Sequence, residues 1–483
     1  MAPALLAGMP VIVKPATATC QVTELAFQMI IASGLLPAGA AQLITGDLGE
    51  LLDHLGGQDV VSFTGSEATG RHLRTHPALI QNAVHFMAEQ DSLNASVLGA
   101  DVAVGSAEFD LFVKEVHREI TVKAGQKCTA VRRVMVPDHL LDSVQAALIE
   151  RLANTPIGNP RHPDTRMGAL VSLSQRRDVL EKAAQIGAEA ECVFGEGDMP
   201  VVIDADAEKG AFVAPRLFRC ETPDQAKAVH DIEAFGPVST LMGYRDAGHA
   251  SQLLNRGQGS LVASVFTADA GFARDMVLGS AAYHGRLYFN NATSAKESTG
   301  HGSPMPHLVH GGPGRAGGGE ELGGVRGVMS YMQRTAIQGT PDILSEITQR
   351  YVPNATPTPA PDHPFHRSYH QLTLGEQLVT PEREITIEDI ETFAHFTGDT
   401  FYAHMDAEAA KRNPFFPDRV AHGYLLLSFA AGLFVDPDEG PVLANTGLDE
   451  LRFMKPVTAG EKIYVALTVM AKTPRTGTYG EVR

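Results

Sequence analysis

Two short stretches hold residues suited to covalent or acid–base chemistry. The first is KAGQKCTAVRR at 123–133, where Cys128 sits between Lys127 and Thr129 after the flexible Gly125. A thiolate is a strong nucleophile near neutral pH, and a covalent thio-intermediate splits an aldehyde oxidation into two easier steps. A single Cys is more often a small buried hydrophobe, so Cys128 gains weight only from its company. Glu89, in FMAEQDSLN, is an acid that can serve as base, although alone it reads equally as a solvated loop carboxylate. FTGSEATG at 63–70 reads as a strand, a glycine turn and a helix start, with Gly65 and Gly70 leaving backbone N–H groups able to face a pyrophosphate. The second stretch is FTGDTFYAHMD at 396–406, in which Asp399 and His404 stand five residues apart across a helix end. A carboxylate and an imidazole that share one water can activate it and protonate the product carbon. The bland alternative is an Asp capping a turn beside a surface His. His422–Gly423 then opens an apolar helix, and N–H groups at such a helix start can polarise a thioester carbonyl. No metal centre is expected.

The elements that must hold these residues can be read from pattern. The chain has 483 residues, enough for two to four domains, with 44% apolar and 20% charged residues. A net charge of −17 argues against nucleic acid and anionic membrane surfaces as main partners. Four cysteines without a CxxC pair fit a reducing, cytoplasmic setting, and Cys20, Cys192 and Cys220 read as structural. Strand-like runs at 11–13, 42–44 and 60–63 alternate with helical patterns over residues 1–99, the mark of a parallel α/β sheet. Residues 100–152 read as mostly helical. Short strands and helices follow to residue 330, ending in the glycine-rich HGGPGRAGGGEELGG. Residues 331–350 are expected to form an oligomerisation tail, and the Pro-rich stretch 351–367 reads as a semi-rigid linker and the main domain boundary. In 368–483, Thr386 and Asp389 signal a capped helix with Ile390, Phe393 and Ala394 on its apolar face and Gly398 at its end. GYLLLSFAAGLF at 423–434 is apolar enough to be buried on all sides, wrapped by an antiparallel sheet.

In this order and spacing, VIVKPATAT, VSFTGSEATG, MAEQDSLN, GQKCTA and EAFGPVSTL resemble the aldehyde dehydrogenase superfamily over about residues 1–340. The resemblance implies a partial Rossmann-like cofactor domain (1–99) and an α/β catalytic domain (100–330). It implies Cys128 as the nucleophile that forms a thiohemiacetal and then a thioester, and Glu89 as the base for water. It places Lys14 at the adenosine ribose, Gly65 and Ser66 at the pyrophosphate, and Glu233 with Phe235 at the nicotinamide ribose and ring. Family members that select NAD carry a Glu shortly after the Lys of VKPA. Thr17 stands there in this chain, which favours NADP over NAD because no carboxylate repels a 2′-phosphate. Members also carry an oxyanion Asn upstream of the point where this sequence starts, and an N-terminal oligomerisation segment; the chain is therefore expected to be cut at its N-terminal end.

Residues 368–483 resemble the MaoC-like hotdog hydratases, an α+β fold, with Gly–Asp–Thr–Phe–Tyr–Ala–His in place of the usual Gly–Asp–x–Asn–Pro–x–His. The resemblance implies Asp399 and His404 as the catalytic pair, Gly423 as an oxyanion donor and His422 as a structural or pocket residue. It also implies that the final strands are missing. A dehydrogenase fused to such a hydratase resembles the bifunctional ring-opening enzymes of aerobic phenylacetate breakdown, whose hydratase opens oxepin-CoA to an aldehyde that the dehydrogenase oxidises. The substrates expected are thus a CoA thioester and an aldehyde, and the assembly a homo-oligomer. Two other readings are a CoA-thioester hydratase carrying a silent dehydrogenase scaffold, and an inactive chain that only assembles with intact subunits.

Overall fold

A computed structural model describes residues 1–197, 200–308, 310–319 and 324–483. It divides into two compact units, Met1–Gln333 and Arg334–Arg483.

The first unit starts with two parallel strand pairs, β1 (Val11–Val13) with β2 (Ala41–Leu43) and β3 (Val60–Thr64) with β4 (His85–Glu89). The helix Cys20–Ala32 crosses between β1 and β2, and Glu67–Arg74 follows β3. The next nine strands are β5 (Ala95–Leu98), β6 (Arg133–Pro137), β7 (Ile157–Gly158), β8 (Glu191–Phe194), β9 (Val202–Ile203), β10 (Arg216–Cys220), β11 (Val238–Tyr244), β12 (Ser260–Phe266) and β13 (His284–Asn290). All but β7 and β9, which pair with each other, join one sheet in the order β13-β12-β5-β6-β11-β10-β8. Its pairings are parallel except at β10–β8. Every residue of β6, β11 and β12 is buried, as expected for parallel strands covered on both faces. Phe112, Val116, Val144 and Leu148, from the helices Ala107–Thr121 and Leu141–Ala153, belong to the core on one side. Val179, Ala183, Leu253 and Met276, from three other helices, belong to the core on the other.

Two sequence expectations change here. The segment 100–152 is not mostly helical, because β6 splits it and runs through the middle of the sheet. The boundary expected at residue 99 also falls inside this sheet, because β5 is one of its central strands.

In the second unit β14 (Thr358–Pro359), β15 (Glu376–Val379), β16 (Arg383–Glu384), β17 (Lys462–Ile463), β18 (Ala466–Thr468), β19 (Lys472–Pro474) and β20 (Gly480–Val482) form three small sheets. The stretch 351–367 does not behave as a free linker. The Tyr351 N–H donates to the Met470 carbonyl, β14 pairs with β15, and Arg367 is buried in an ion pair with Glu376. Proline suits an edge strand as well as a linker, since only one side of it needs donors. The helix Ile387–Thr397 is capped as the sequence indicates: Thr386 Oγ1 accepts from the Asp389 N–H, the Asp389 carboxylate accepts from the Thr386 N–H, and Gly398 closes it at φ 81°. The helix Gly423–Phe434 is not buried all round. Leu425, Leu426 and Phe429 pack with Ile385, Ile390 and Ile463, while Tyr424, Ser428, Ala431 and Gly432 form an exposed face. The sheets around it are separate and short, so they cover one side only.

Candidate active sites

Cys128 lies in the connection from the helix Ala107–Thr121 to β6. The turn before it strings Lys123, Ala124 and Gly125 at φ 53°, 50° and 68°. Left-handed backbone at two non-glycine residues is strained, and strain of this kind persists only where the surroundings hold it. Gly125 has no room for a side chain: a Cβ there would stand 2.1 Å from the Gly236 carbonyl oxygen. The turn thus presses directly on the EAFGPV loop, and Arg132 ties the two by donating to the carbonyls of Gly236 (2.7 Å) and Gly125 (2.9 Å). Asn94, at the entry to β5, holds the nucleophile's loop from the other side. Its Nδ2 donates to the carbonyls of Cys128 (2.7 Å) and Ala130 (3.2 Å), while its Oδ1 accepts from Ser92 Oγ and the Val262 N–H. Arg133, the next residue after Arg132, points to the opposite face of the strand. It donates to the carbonyls of Leu93, Leu253 and Leu254, the last two in the final turn of a helix whose C-terminal dipole favours a cation. Sequence reasoning passed over Asn94, Arg132 and Arg133; the one available signal was polar side chains inside otherwise strand-like runs.

Glu89 ends β4, buried to 9% exposure, and its carboxylate lies beside the Cys128 thiol. Burial pushes the thiol up to about 12; the charge of Glu89 and the hydrogen bond to it add to this, while the Thr129 N–H and Lys127 pull the other way. The resting thiol is therefore protonated, with an acceptor for its proton in place. Removing the Glu89 charge removes a cause of the rise, so Glu89→Gln should ionise the thiol at lower pH. At pH 8 it should speed iodoacetamide alkylation of Cys128 about tenfold, one pH unit's worth. An unchanged rate would assign the rise to burial alone. A third group, His310, brings its ring into the same cluster: one ligand atom from each of Glu89, Cys128 and His310 lies within 4.8 Å of the others.

The expected cofactor residues are spread over neighbouring elements. The Gly65–Ser66 turn is exposed at the end of β3, directly beside Glu89, since the Gly65 N–H donates to the Glu89 carbonyl at 3.1 Å. Ser66 caps the following helix by accepting from the Thr69 N–H. An exposed glycine turn opening a helix fits a dinucleotide's diphosphate. Lys14 and Thr17 are exposed just after β1, and no carboxylate occupies the Lys14–Thr19 stretch. Glu233 is turned inward: its Oε2 accepts from the Ser92 N–H at 3.0 Å, and Oε1 lies 3.4 Å from Arg132 Nε. Phe235 is half-buried with the Arg132 guanidinium 5.5 Å from its ring centre.

In the second unit Asp399 and His404 come together with His422, again with one ligand atom of each inside 4.8 Å of the others. His404 Nδ1 donates to the Val420 carbonyl at 2.7 Å, which leaves Nε2 as the free basic nitrogen. His422 is closer to the chemistry than its sequence position suggests. Its ring stacks on that of His404 with centres 3.6 Å apart, and its Nε2 donates to the Asp399 backbone carbonyl at 2.9 Å. Burial holds its imidazole below the usual range, with the Asp399 hydrogen bond opposing. Gly423 begins the apolar helix, where first-turn N–H groups have no partner within the helix. The Phe453 ring lies 2.4 Å from where a Cβ at Gly423 would stand, so a side chain there would displace that ring.

Comparisons with known proteins agree with both halves. The aldehyde dehydrogenase family matches residues 1–337, and the MaoC like domain matches residues 370–483. The chain is 50% identical over 309 residues to "Protein MaoC" of Klebsiella aerogenes, covering 64% of this chain and 90% of that protein. It is 45% identical over 312 residues to the 3,4-dehydroadipyl-CoA semialdehyde dehydrogenase of Aromatoleum evansii, covering 65% of this chain and 61% of that one. Among solved structures, the betaine aldehyde dehydrogenase of Staphylococcus aureus in complex with NAD+ matches at TM-score 0.59 and 29% identity, over 68% of this chain and 61% of that chain. The chain therefore spans about three fifths of these two dehydrogenases. Among the described residues no helix is long and apolar enough to cross a membrane. The chain belongs to the aldehyde dehydrogenase family, whose cofactor is NAD(P), and carries a MaoC-like hotdog domain behind it.

Proposed function

We propose that the chain is a bifunctional ring-opening enzyme: its hotdog domain hydrates oxepin-CoA to an open-chain aldehyde, and its dehydrogenase domain oxidises that aldehyde to the acid with NADP. The observation that carries this reading is Cys128 with its proton acceptor Glu89 in a chain that also assembles Asp399 and His404. The name of the Aromatoleum evansii relative, a CoA-bound semialdehyde dehydrogenase, supports the substrate class.

In the hydratase, Asp399 and His404 share one water. One takes its proton as the hydroxyl adds to the oxygen-bearing ring carbon; the other protonates the neighbouring carbon. The resulting hemiacetal opens to the aldehyde. The Gly423 N–H polarises the thioester carbonyl, and His422 positions the pair through its stack and its bond to Asp399.

In the dehydrogenase, Glu89 takes the Cys128 proton and the sulfur adds to the aldehyde carbon, giving a thiohemiacetal. NAD(P), when bound, would supply the acceptor for the hydride that leaves the thiohemiacetal carbon as it becomes the thioester. Glu89, once it has released the thiol's proton, takes a proton from the water that attacks the thioester; the acid leaves, and the Cys128 sulfur departs as thiolate and takes up a proton to restore the thiol. Gly65 and Ser66 would hold the diphosphate, and Lys14 the adenosine ribose. Phe235 would border the nicotinamide, while Glu233 would position the ring pocket through Arg132. The aldehyde is reactive, and tethering the two domains raises its concentration at the second site. The protein works as a cytoplasmic homo-oligomer.

The test is NADPH formation by the folded chain from a medium-chain aldehyde, compared with NADH formation. A preference for NADP supports the reading; absence of any Cys128-dependent turnover overturns it. Thr17→Glu should shift the kcat/KM ratio toward NAD by about tenfold or more, because a carboxylate repels a 2′-phosphate. An unchanged ratio would move cofactor selection elsewhere.

A further inference from the structure

The glycine-rich stretch after residue 309 has no part in the steps above, yet it is built tightly into the dehydrogenase site. A Cβ on Gly285 would stand 1.5 Å from the Gly311 carbonyl oxygen, and one on Gly312 would stand 2.6 Å from that of Ser260. Cβ atoms on Gly317 and Gly319 would fall 2.4 and 2.5 Å from the Ala88 carbonyl oxygen. The Gln90 N–H donates to the Ala316 carbonyl at 3.0 Å, and Arg74 donates to the Gly317 carbonyl at 2.8 Å. These glycines let one backbone lie flat against the start of β12, the start of β13 and the end of β4, the strand that carries Glu89.

The residue delivered by this packing is His310. Its Nε2 lies 4.0 Å from Glu89 Oε1, with the Cys128 sulfur in the same cluster. Its side chain keeps 20% exposure, against 10% for Glu89. His310 and Glu89 line one small pocket with Ser62, Phe63 and Met87. Among the described residues Glu89 and Cys128 share its cluster, and the Lys127 charge also acts on the thiol.

We propose that His310 is a third proton-handling residue of the dehydrogenase: it takes the proton that Glu89 gains and passes it to solvent. This rests on the reading of Cys128 and Glu89 given above. Each turnover leaves Glu89 protonated when it takes a proton from the thiol, and again when it takes one from the attacking water. A buried carboxylic acid with no outlet blocks the next deprotonation. The O–H bond of protonated Glu89 breaks, the N–H bond of His310 forms, and the imidazolium then releases its proton at its exposed edge. The gap of 4.0 Å is too long for a direct hydrogen bond but closes with a shift of about 1 Å or one bridging water.

The experiment is stopped-flow and steady-state NADPH formation by the whole chain across pH 6 to 9, for the wild type, His310→Gln and His310→Ala. The expected result is a retained first-turnover burst, steady-state kcat lowered about tenfold to a hundredfold, an altered pH profile of kcat, and partial rescue of His310→Ala by added imidazole. A variant with wild-type kcat and an unchanged profile overturns the proposal and leaves the Cys128 reading intact. A burst lost with kcat, unrescued by imidazole, assigns His310 a packing role and also overturns it. A wild type without a Cys128-dependent burst overturns the underlying reading and the proposal together. Thermal melts of both variants separate a folding defect from a chemical one.

Discussion

Cys128→Ala is expected to lower aldehyde-dependent NADPH formation by at least about 10⁴-fold, as removal of a covalent nucleophile does elsewhere, while hydration of an enoyl-CoA by the same preparation stays at the wild-type rate. The size of the effect follows from the arrangement of the site. Glu89 is placed to take a thiol proton, and the thiol is held protonated until then. Without sulfur there is no thioester, and Glu89 alone can only activate water toward an unbound aldehyde. Alanine fits the space, because the loop is held by backbone carbonyls bonded to Asn94 and Arg132, not by the thiol. A melting temperature near that of the wild type should accompany the lost activity. Residual turnover above about one part in a hundred would mean that another group carries the oxidation.

The complementary result is expected from Asp399→Asn, which keeps the shape of the side chain and removes its basicity. Hydration should fall about 10³-fold, within the range for a positioned acid–base group, with the dehydrogenase rate unchanged. His404→Gln should match it. The His404 ring is fixed by its bond to the Val420 carbonyl, so only one nitrogen is available for proton transfer. The two variants together decide between the bifunctional reading and its rivals. Loss of one activity from each, with the other retained, requires two working sites. A chain that hydrates but shows no Cys128-dependent oxidation would be the hydratase with a silent scaffold. A chain that does neither would serve assembly alone.

The chemistry was more legible in the sequence than the architecture around it. GQKCTA and GDTFYAH announce themselves because reactive residue types sit in short, unusual frames. Both pairs meet in space with their partners, Cys128 with Glu89 and Asp399 with His404. The helix Ile387–Thr397 was equally plain, since capping is a local code that neighbouring residues satisfy. Strand β6 was hidden because Arg132 and Arg133 interrupt an apolar run, and their compensation includes carbonyls more than 100 residues away. The stretch 351–367 read as a linker because proline content marks both linkers and edge strands. His310 went unread, and His422 read only as a structural or pocket residue, for a third reason. Each precedes a glycine whose role in backbone packing is the obvious one, and only three-dimensional placement shows the imidazole beside the reacting groups.

The paired arginines also bear on how the sheet assembles. A parallel strand buried on both faces and lined with small apolar residues has little to tell one alignment from the next. Sliding β6 by a single position would turn Arg132 toward the helix end and Arg133 toward the Cys128 turn, inverting every side chain with them. Each guanidinium would then leave carbonyls placed for it and enter a dry site shaped for something else, at about 3–5 kcal/mol apiece. Two adjacent cations on opposite faces therefore act as a key with two teeth: they make the strand's alignment an all-or-none choice, and the correct alignment is the one that brings Cys128 to Glu89.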